Sequence, residues 1–101
     1  MSQVSMWVKL PLKDGKREEA KAIFEEAIQN VQSEPGTVLY ILHEDARDEN
    51  ALYVYELYKD GDALAAHGGS EWFKVFGPKL GPVLGGRPEM QMITPVSGKG
   101  L

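Results

Sequence analysis

Cysteine is absent from the 101 residues, which excludes disulfides, thiolate metal centres, iron–sulfur clusters and a thiol nucleophile. Histidine is scarce, with 2 copies. That is too few for a metal site of three imidazoles, and no spacing between a histidine and the carboxylates marks a ligand set, so no metal is expected. Glycine-rich dinucleotide and phosphate loops, HExxH and GxSxG are all missing, which removes the enzyme classes that depend on them. Positive charge is in deficit: 11 Lys and Arg against 15 Asp and Glu leave a net charge of −4. An acidic chain has no electrostatic footprint for a phosphate backbone, and nucleic acid is not an expected partner. No apolar run approaches the ~20 residues of a bilayer span. The segment MSQVSMWVKL lacks the basic-then-apolar order of a leader, so the expectation is a cytoplasmic protein without membrane association.

What is present is an ordinary globular balance, 43% hydrophobic and 26% charged, at a length that one domain fills. A single domain is expected, with its core over about 6–95 and a flexible tail over 96–101. Met6 to Leu12 is apolar and β-favouring, closed by Pro11 and the Lys13-Asp14-Gly15 turn signal. From Lys16 to Gln32, the residues Ala20, Ile23, Phe24, Ala27, Ile28 and Val31 recur at the spacing of one helical face. The opposite face carries Glu18, Glu19, Glu25, Glu26, Gln29 and Asn30, a solvated surface, and Pro35 ends the helix. Thr37 to Glu44 and Ala51 to Lys59 read as two strands. Asp62 to His67 is a short helix broken by Gly68-Gly69, and Ser70 N-caps a second piece running toward Leu80. Gly81 to Gly86 is a loop, and Pro88 to Val96 is a last strand whose prolines mark an edge.

The order is β-α-β-β-α-β, the α+β ferredoxin-like class: a four-stranded antiparallel sheet with helices on one face. The second and third strands are apolar on both sides, while the helices can cover only one face. The uncovered face is best buried against a second copy, so a homodimer is expected. RNA-binding modules of similar fold stack bases on third-strand aromatics, but Glu49 to Tyr58 (ENALYVYELY) lacks their basic residue, glycine and aromatic spacing.

Four groups of residues remain to be explained: Glu34-Pro35-Gly36; Tyr55-Glu56-Leu57-Tyr58 followed by Asp60; Ala63-Leu64-x-x-His67; and Ser70-Glu71-Trp72-Phe73. At these positions the chain resembles the antibiotic biosynthesis monooxygenase family of dimeric α+β barrels, whose members read E-x-G, E-x-[WY]-x-[DS], EAL-x-x-H and S-x-[HWF]-[FM]. The resemblance runs over about residues 6 to 95. It implies oxygenation of a small quinol- or anthrone-like aromatic by O2 without metal, flavin or haem. An electron-rich phenol, once deprotonated, can reduce dioxygen itself, and the protein need supply only a base, a dry pocket and orientation. Small barrels that degrade haem combine a first-strand Asn with a Trp and a later helical His. Here the first strand has no Asn and His67 precedes Trp72, which sets that chemistry aside.

His67 is the candidate base, since an imidazole with an ordinary pKa near ~6.5 accepts a proton at neutral pH. The competing role is a cap on the C-terminus of its short helix, and one residue can do both. Trp72, Phe73 and Tyr55 are candidates to enclose a flat substrate, with Tyr58, Tyr40 and Trp7 as further pocket residues; the alternative for each aromatic is plain core packing. Glu56, a carboxylate inside an apolar strand, must be paired: either it belongs to a structural network at the dimer interface or it orients His67 or a substrate hydroxyl. His43 ends the second strand as a surface imidazole or as nothing more specific. The alternative to an enzyme is a non-enzymatic small-molecule-binding or structural dimer on the same fold, and a third possibility is isomerase or decarboxylase chemistry on a small dicarbonyl compound.

Overall fold

The computed structural model describes residues 2–100. The elements follow one another as β1 (Val4–Pro11), α1 (Arg17–Val31), β2 (Thr37–Glu44), β3 (Ala51–Tyr58), α2 (Gly61–Gly68), α3 (Glu71–Leu80) and β4 (Glu89–Ile93), with one 3-10 turn at Gly81–Val83. The strands form one antiparallel sheet in the order β2-β3-β1-β4, the ferredoxin-like arrangement expected. Five of these seven strands and helices have bounds within a residue or so of the sequence reading. The first strand begins earlier and ends at Pro11, because Leu12 leaves it to bridge Leu84. The last strand is shorter than expected, and 96–100 carry no strand or helix; Leu101, the end of the expected tail, lies outside the described residues.

Local chemistry accounts for the joints. Gly15 turns the chain from β1 into α1 with φ +74, a backbone conformation that a Cβ disfavours. Asp60 caps α2 by accepting from the Ala63 amide, and Ser70 caps α3 by accepting from that of Phe73, each satisfying an amide that the first turn of a helix leaves free. Pro78 sits inside α3, which nevertheless runs on to Leu80.

Cross-strand pairing sorts the side chains by face. Met6 lies opposite Glu56, Val8 opposite Val54, Leu10 opposite Leu52, and Tyr40 opposite Glu56; these residues and Tyr58 point at the helices. The core forms there from Val8, Leu10, Leu52 and Val54 with Ala20, Phe24 and Ala27 of α1 and Phe76 and Leu80 of α3. Phe24 and Phe76 meet edge to face at 5.1 Å, a favoured aromatic geometry. On the opposite face Trp7 pairs with Tyr55, Lys9 with Tyr53, and Ile41 with Tyr55. Among the described residues no helix covers this side, and Trp7, Leu39, Ile41 and Ile93 stand exposed. No helix among the described residues is long and apolar enough to cross a membrane.

Candidate functional site

His67 lies in the last turn of α2 and is 4% exposed, an unusual burial for a titratable ring, which must therefore be partnered. Its Nδ1 lies 2.9 Å from Oε1 of Glu34, in the turn that follows α1. The same carboxylate accepts from the Thr37 hydroxyl at 2.7 Å and, on Oε2, from the Trp72 indole Nε1 at 2.9 Å. Burial works against ionisation of Glu34, but the hydrogen bonds from His67, Thr37 and Trp72 outweigh it and hold the carboxyl below its ordinary value. An ionised carboxylate can only accept, so Nδ1 carries the proton and a neutral His67 has its lone pair on Nε2.

The approach of Glu34 to His67 depends on Gly36. A Cβ at that position would lie 2.5 Å from the Cβ of Ala63, one helical turn before His67. The Glu-x-Gly sequence therefore works as a unit: the carboxylate reaches the ring because the glycine lets α2 close on the start of β2.

Beyond Nε2, at 4.0 Å, stands Oε1 of Glu56. Glu56 is 5% exposed and accepts from the Tyr58 hydroxyl. Burial pushes its carboxyl above the ordinary value, although Tyr58 and His67 pull the other way. The Tyr58 and Tyr40 hydroxyls are also held in their neutral forms, chiefly by burial and then by the Glu56 charge. Nε2 makes no hydrogen bond among the described residues and faces an apolar cavity of about 390 Å³ between sheet and helices. His67, Glu56 and Tyr40 supply the polar edge of this cavity; Phe24, Phe73, Phe76, Leu64 and Met6 are among its apolar walls. Its volume suits one small molecule. The cavity borders Pro88 and the exposed Met90 at the β4 edge. A second hollow, an open polar cleft of about 520 Å³, lies on the other side of His67 and is lined by Glu34, Thr37, Lys59, Asp60, Ser70 and Trp72 among others.

Of the expected residues, His67, Glu56, Tyr40 and Phe73 line the cavity; Tyr58 and Trp72 pack against His67 without lining it, and Trp7 and Tyr55 lie elsewhere. Trp7 and Tyr55 do not enter the cavity: they lie on the opposite face of the sheet, with ring centres 6.2 Å apart, because their register positions alternate with those of Met6 and Glu56. Trp72 does not enclose the cavity either. Its indole is engaged by Glu34 and lines the cleft, since neighbouring residues on a helix point about 100° apart. Tyr58 is fully buried behind Glu56 and serves it as a donor. Glu56, expected in a network at a dimer interface, is not on the uncovered face of the sheet but on the helix-facing side, toward His67. His43 is exposed beside Trp7, their rings 5.9 Å apart. Sequence reasoning gave Glu34 no role of its own, because its tie to His67 spans 33 positions and belongs to no local spacing.

The fold agrees with comparisons against known proteins. The family model for antibiotic biosynthesis monooxygenase matches residues 4–79. A solved structure from Caulobacter crescentus CB15, named as a candidate antibiotic biosynthesis monooxygenase, is 30% identical and superposes with a TM-score of 0.90 over 95% of this chain and 92% of that one. A protein of like name from Nitrosomonas europaea has a TM-score of 0.90 at 18% identity, over 98% of this chain and 95% of that one, and shows the fold alone. A conserved protein from Methanosarcina mazei Go1 does the same at 24% identity and TM-score 0.86, with 92% of each chain covered. An uncharacterised protein of Synechocystis sp. (strain ATCC 27184 / PCC 6803 / Kazusa) is 28% identical over 83 residues, 82% of this chain. The chain spans 56% of that relative's length.

Proposed function

This chain belongs to the antibiotic biosynthesis monooxygenase family, and on that premise we propose that it is a cofactor-independent monooxygenase acting on a small quinol- or anthrone-type aromatic with O2. The observation that carries the reading is the buried His67, with Nδ1 held by Glu34 and Nε2 open toward an apolar cavity. The substrate lies flat between Phe73 and the sheet, with its oxygen edge toward Nε2 and the Tyr40 hydroxyl, which has no hydrogen bond among the described residues. His67 takes the acidic proton of the ligand. The resulting anion is electron-rich enough to reduce dioxygen, and the apolar walls keep water from quenching it. With an anthrone the balance is simple: the methylene and O2 give the quinone carbonyl and one water, so one oxygen atom stays in the product.

The same reading includes a homodimer formed through the uncovered sheet face, where Trp7, Leu39, Ile41 and Ile93 are exposed together with the partly exposed Tyr53 and Tyr55. A contiguous apolar face of this kind is more than a monomer usually shows to water. The residues named around the cavity and His67 all come from one chain.

Oxygen uptake with a panel of naphthoquinols and anthrones tests the reaction. Uptake dependent on the protein is expected, falling by about 10²- to 10⁴-fold in His67→Ala, the usual worth of a positioned base. Tight binding of these compounds with no oxygen consumed would replace the enzyme by a ligand-binding protein.

A further inference from the structure

The cavity and the cleft meet at His67, which borders both, whereas Glu34 borders only the cleft and Glu56 only the cavity. The ring is thus a partition with a carboxyl group on either side, and the two are held differently. Glu34 accepts three hydrogen bonds, from His67, Thr37 and Trp72. Glu56 accepts one, from Tyr58, in a buried setting. A carboxylate fixed by three donors cannot swing away when the ring changes charge, and a carboxylate opposite one imidazole nitrogen determines which nitrogen is free.

We propose that Glu34 is a positioning residue that locks His67 with Nε2 bare toward the cavity and balances the imidazolium from the cleft side, so that the cavity takes a neutral ligand with one weakly acidic O–H and holds it as its anion. This rests on the reading of His67 as a base, but not on any reaction with oxygen. The other groups around the ring fit the assignment. Tyr40, Tyr58, Trp72 and Phe73 approach it with ring centres 5.2 to 5.5 Å away, and none supplies charge. No Lys or Arg lines the cavity, so a ligand arriving with a fixed negative charge would find no cation except the ring itself. Burial pushes the Glu56 carboxyl up from its ordinary value, and a bound anion beside it would push it further the same way. The negative partner of the imidazolium therefore sits outside the dry compartment, where it does not compete with the ligand for space or for Nε2.

The probe is 4-nitrophenol, whose ionised form has its own visible absorption. With the wild-type protein the bound probe is expected to be richer in phenolate than the probe free in the same buffer, and His67→Ala should abolish that enrichment. Glu34→Gln keeps an acceptor for Nδ1 but removes the charge, and should lower the phenolate-to-phenol ratio of the bound probe about tenfold or more. An unchanged ratio in a folded Glu34→Gln protein overturns the proposal. A second measurement needs neither ligand nor variant. The 15N shifts of His67 in the free wild-type protein should report a protonated Nδ1 and a bare Nε2, and the opposite tautomer overturns the assignment even if the variant does not fold. Oxygen uptake plays no part in either result, so failure of the monooxygenase reading is recognisable separately.

Discussion

His67 and Glu34, 33 positions apart, meet at 2.9 Å because nothing stands between Gly36 and Ala63. Adding a methyl group at Gly36 would place two Cβ atoms 2.5 Å apart, a separation that forces α2 away from the start of β2. Gly36→Ala should destabilise the protein by about 1 to 3 kcal/mol, the usual range for overpacking, and should weaken the His67 to Glu34 bond. The matching change, Ala63→Gly, costs about 1 kcal/mol alone, as glycine does within a helix. Together the two should cost less than their sum. Urea melts of the four proteins in the cycle measure that coupling; strict additivity would mean that the contact does not control the approach.

Glu56 gives a stability signature with a definite sign. Burial raises its carboxyl above the ordinary value of 4.5 in the folded protein, against the pull of Tyr58 and His67. Below the unfolded value the group is neutral in both states and imposes no penalty. As pH rises past it the unfolded chain ionises first, so the folded state loses relative stability until its own raised value is passed. Glu56→Gln keeps an oxygen for the Tyr58 hydroxyl and cannot ionise. Its stability relative to wild type should therefore be greater near pH 7 than near pH 4, which paired urea titrations would show. A difference of the opposite sign would mean that Glu56 is held charged.

Ser70 joins the two short helices at the site. Its hydroxyl donates to the His67 carbonyl at 2.8 Å and accepts from the Phe73 amide at 3.4 Å, closing α2 and opening α3 with one side chain. Ser70→Ala should cost about 1 kcal/mol, the typical worth of an N-cap. Hydrogen exchange should quicken at the first amides of α3. A loss confined to global stability, with no local change there, would argue against the cap.

These sites differ in how far the amino-acid sequence announces them. The bounds of β2 coincide with the β-branched and aromatic run Thr37–Glu44, and the core residues of α1 follow its 3.6-residue period, because both signals are local. The direction of each β3 side chain is not local. Ala51–Tyr58 is largely apolar on both faces, so hydrophobicity alone does not say which of Tyr55 and Glu56 points at the helices; the pairing of Glu56 with Met6 and Tyr40 does. The parting of Trp72 from Phe73 was legible in principle from the 100° step of a helix. The bond between His67 and Glu34 was not, since it appears only once α2 folds back over the end of α1.

The uncovered sheet face makes the last prediction. Ile41, on β2, lies opposite Tyr55 and is 43% exposed in the single chain, so its replacement disturbs little within one protomer. In a twofold assembly through this face, Ile41→Asp would bring two unpaired carboxylates into an apolar contact. An unpaired buried charge costs several kcal/mol, and each 1.4 kcal/mol is a tenfold change in affinity. Dissociation should therefore become at least ~100-fold easier. Sedimentation at micromolar concentration should give a species of twice the 11.2 kDa chain mass for wild type and a single chain for the variant, with the His67 tautomer unchanged because the site faces the other way. A wild-type protein that sediments as one chain would leave Trp7 and Ile41 as exposed residues without a self-partner, and the cavity would then have to function in a monomer.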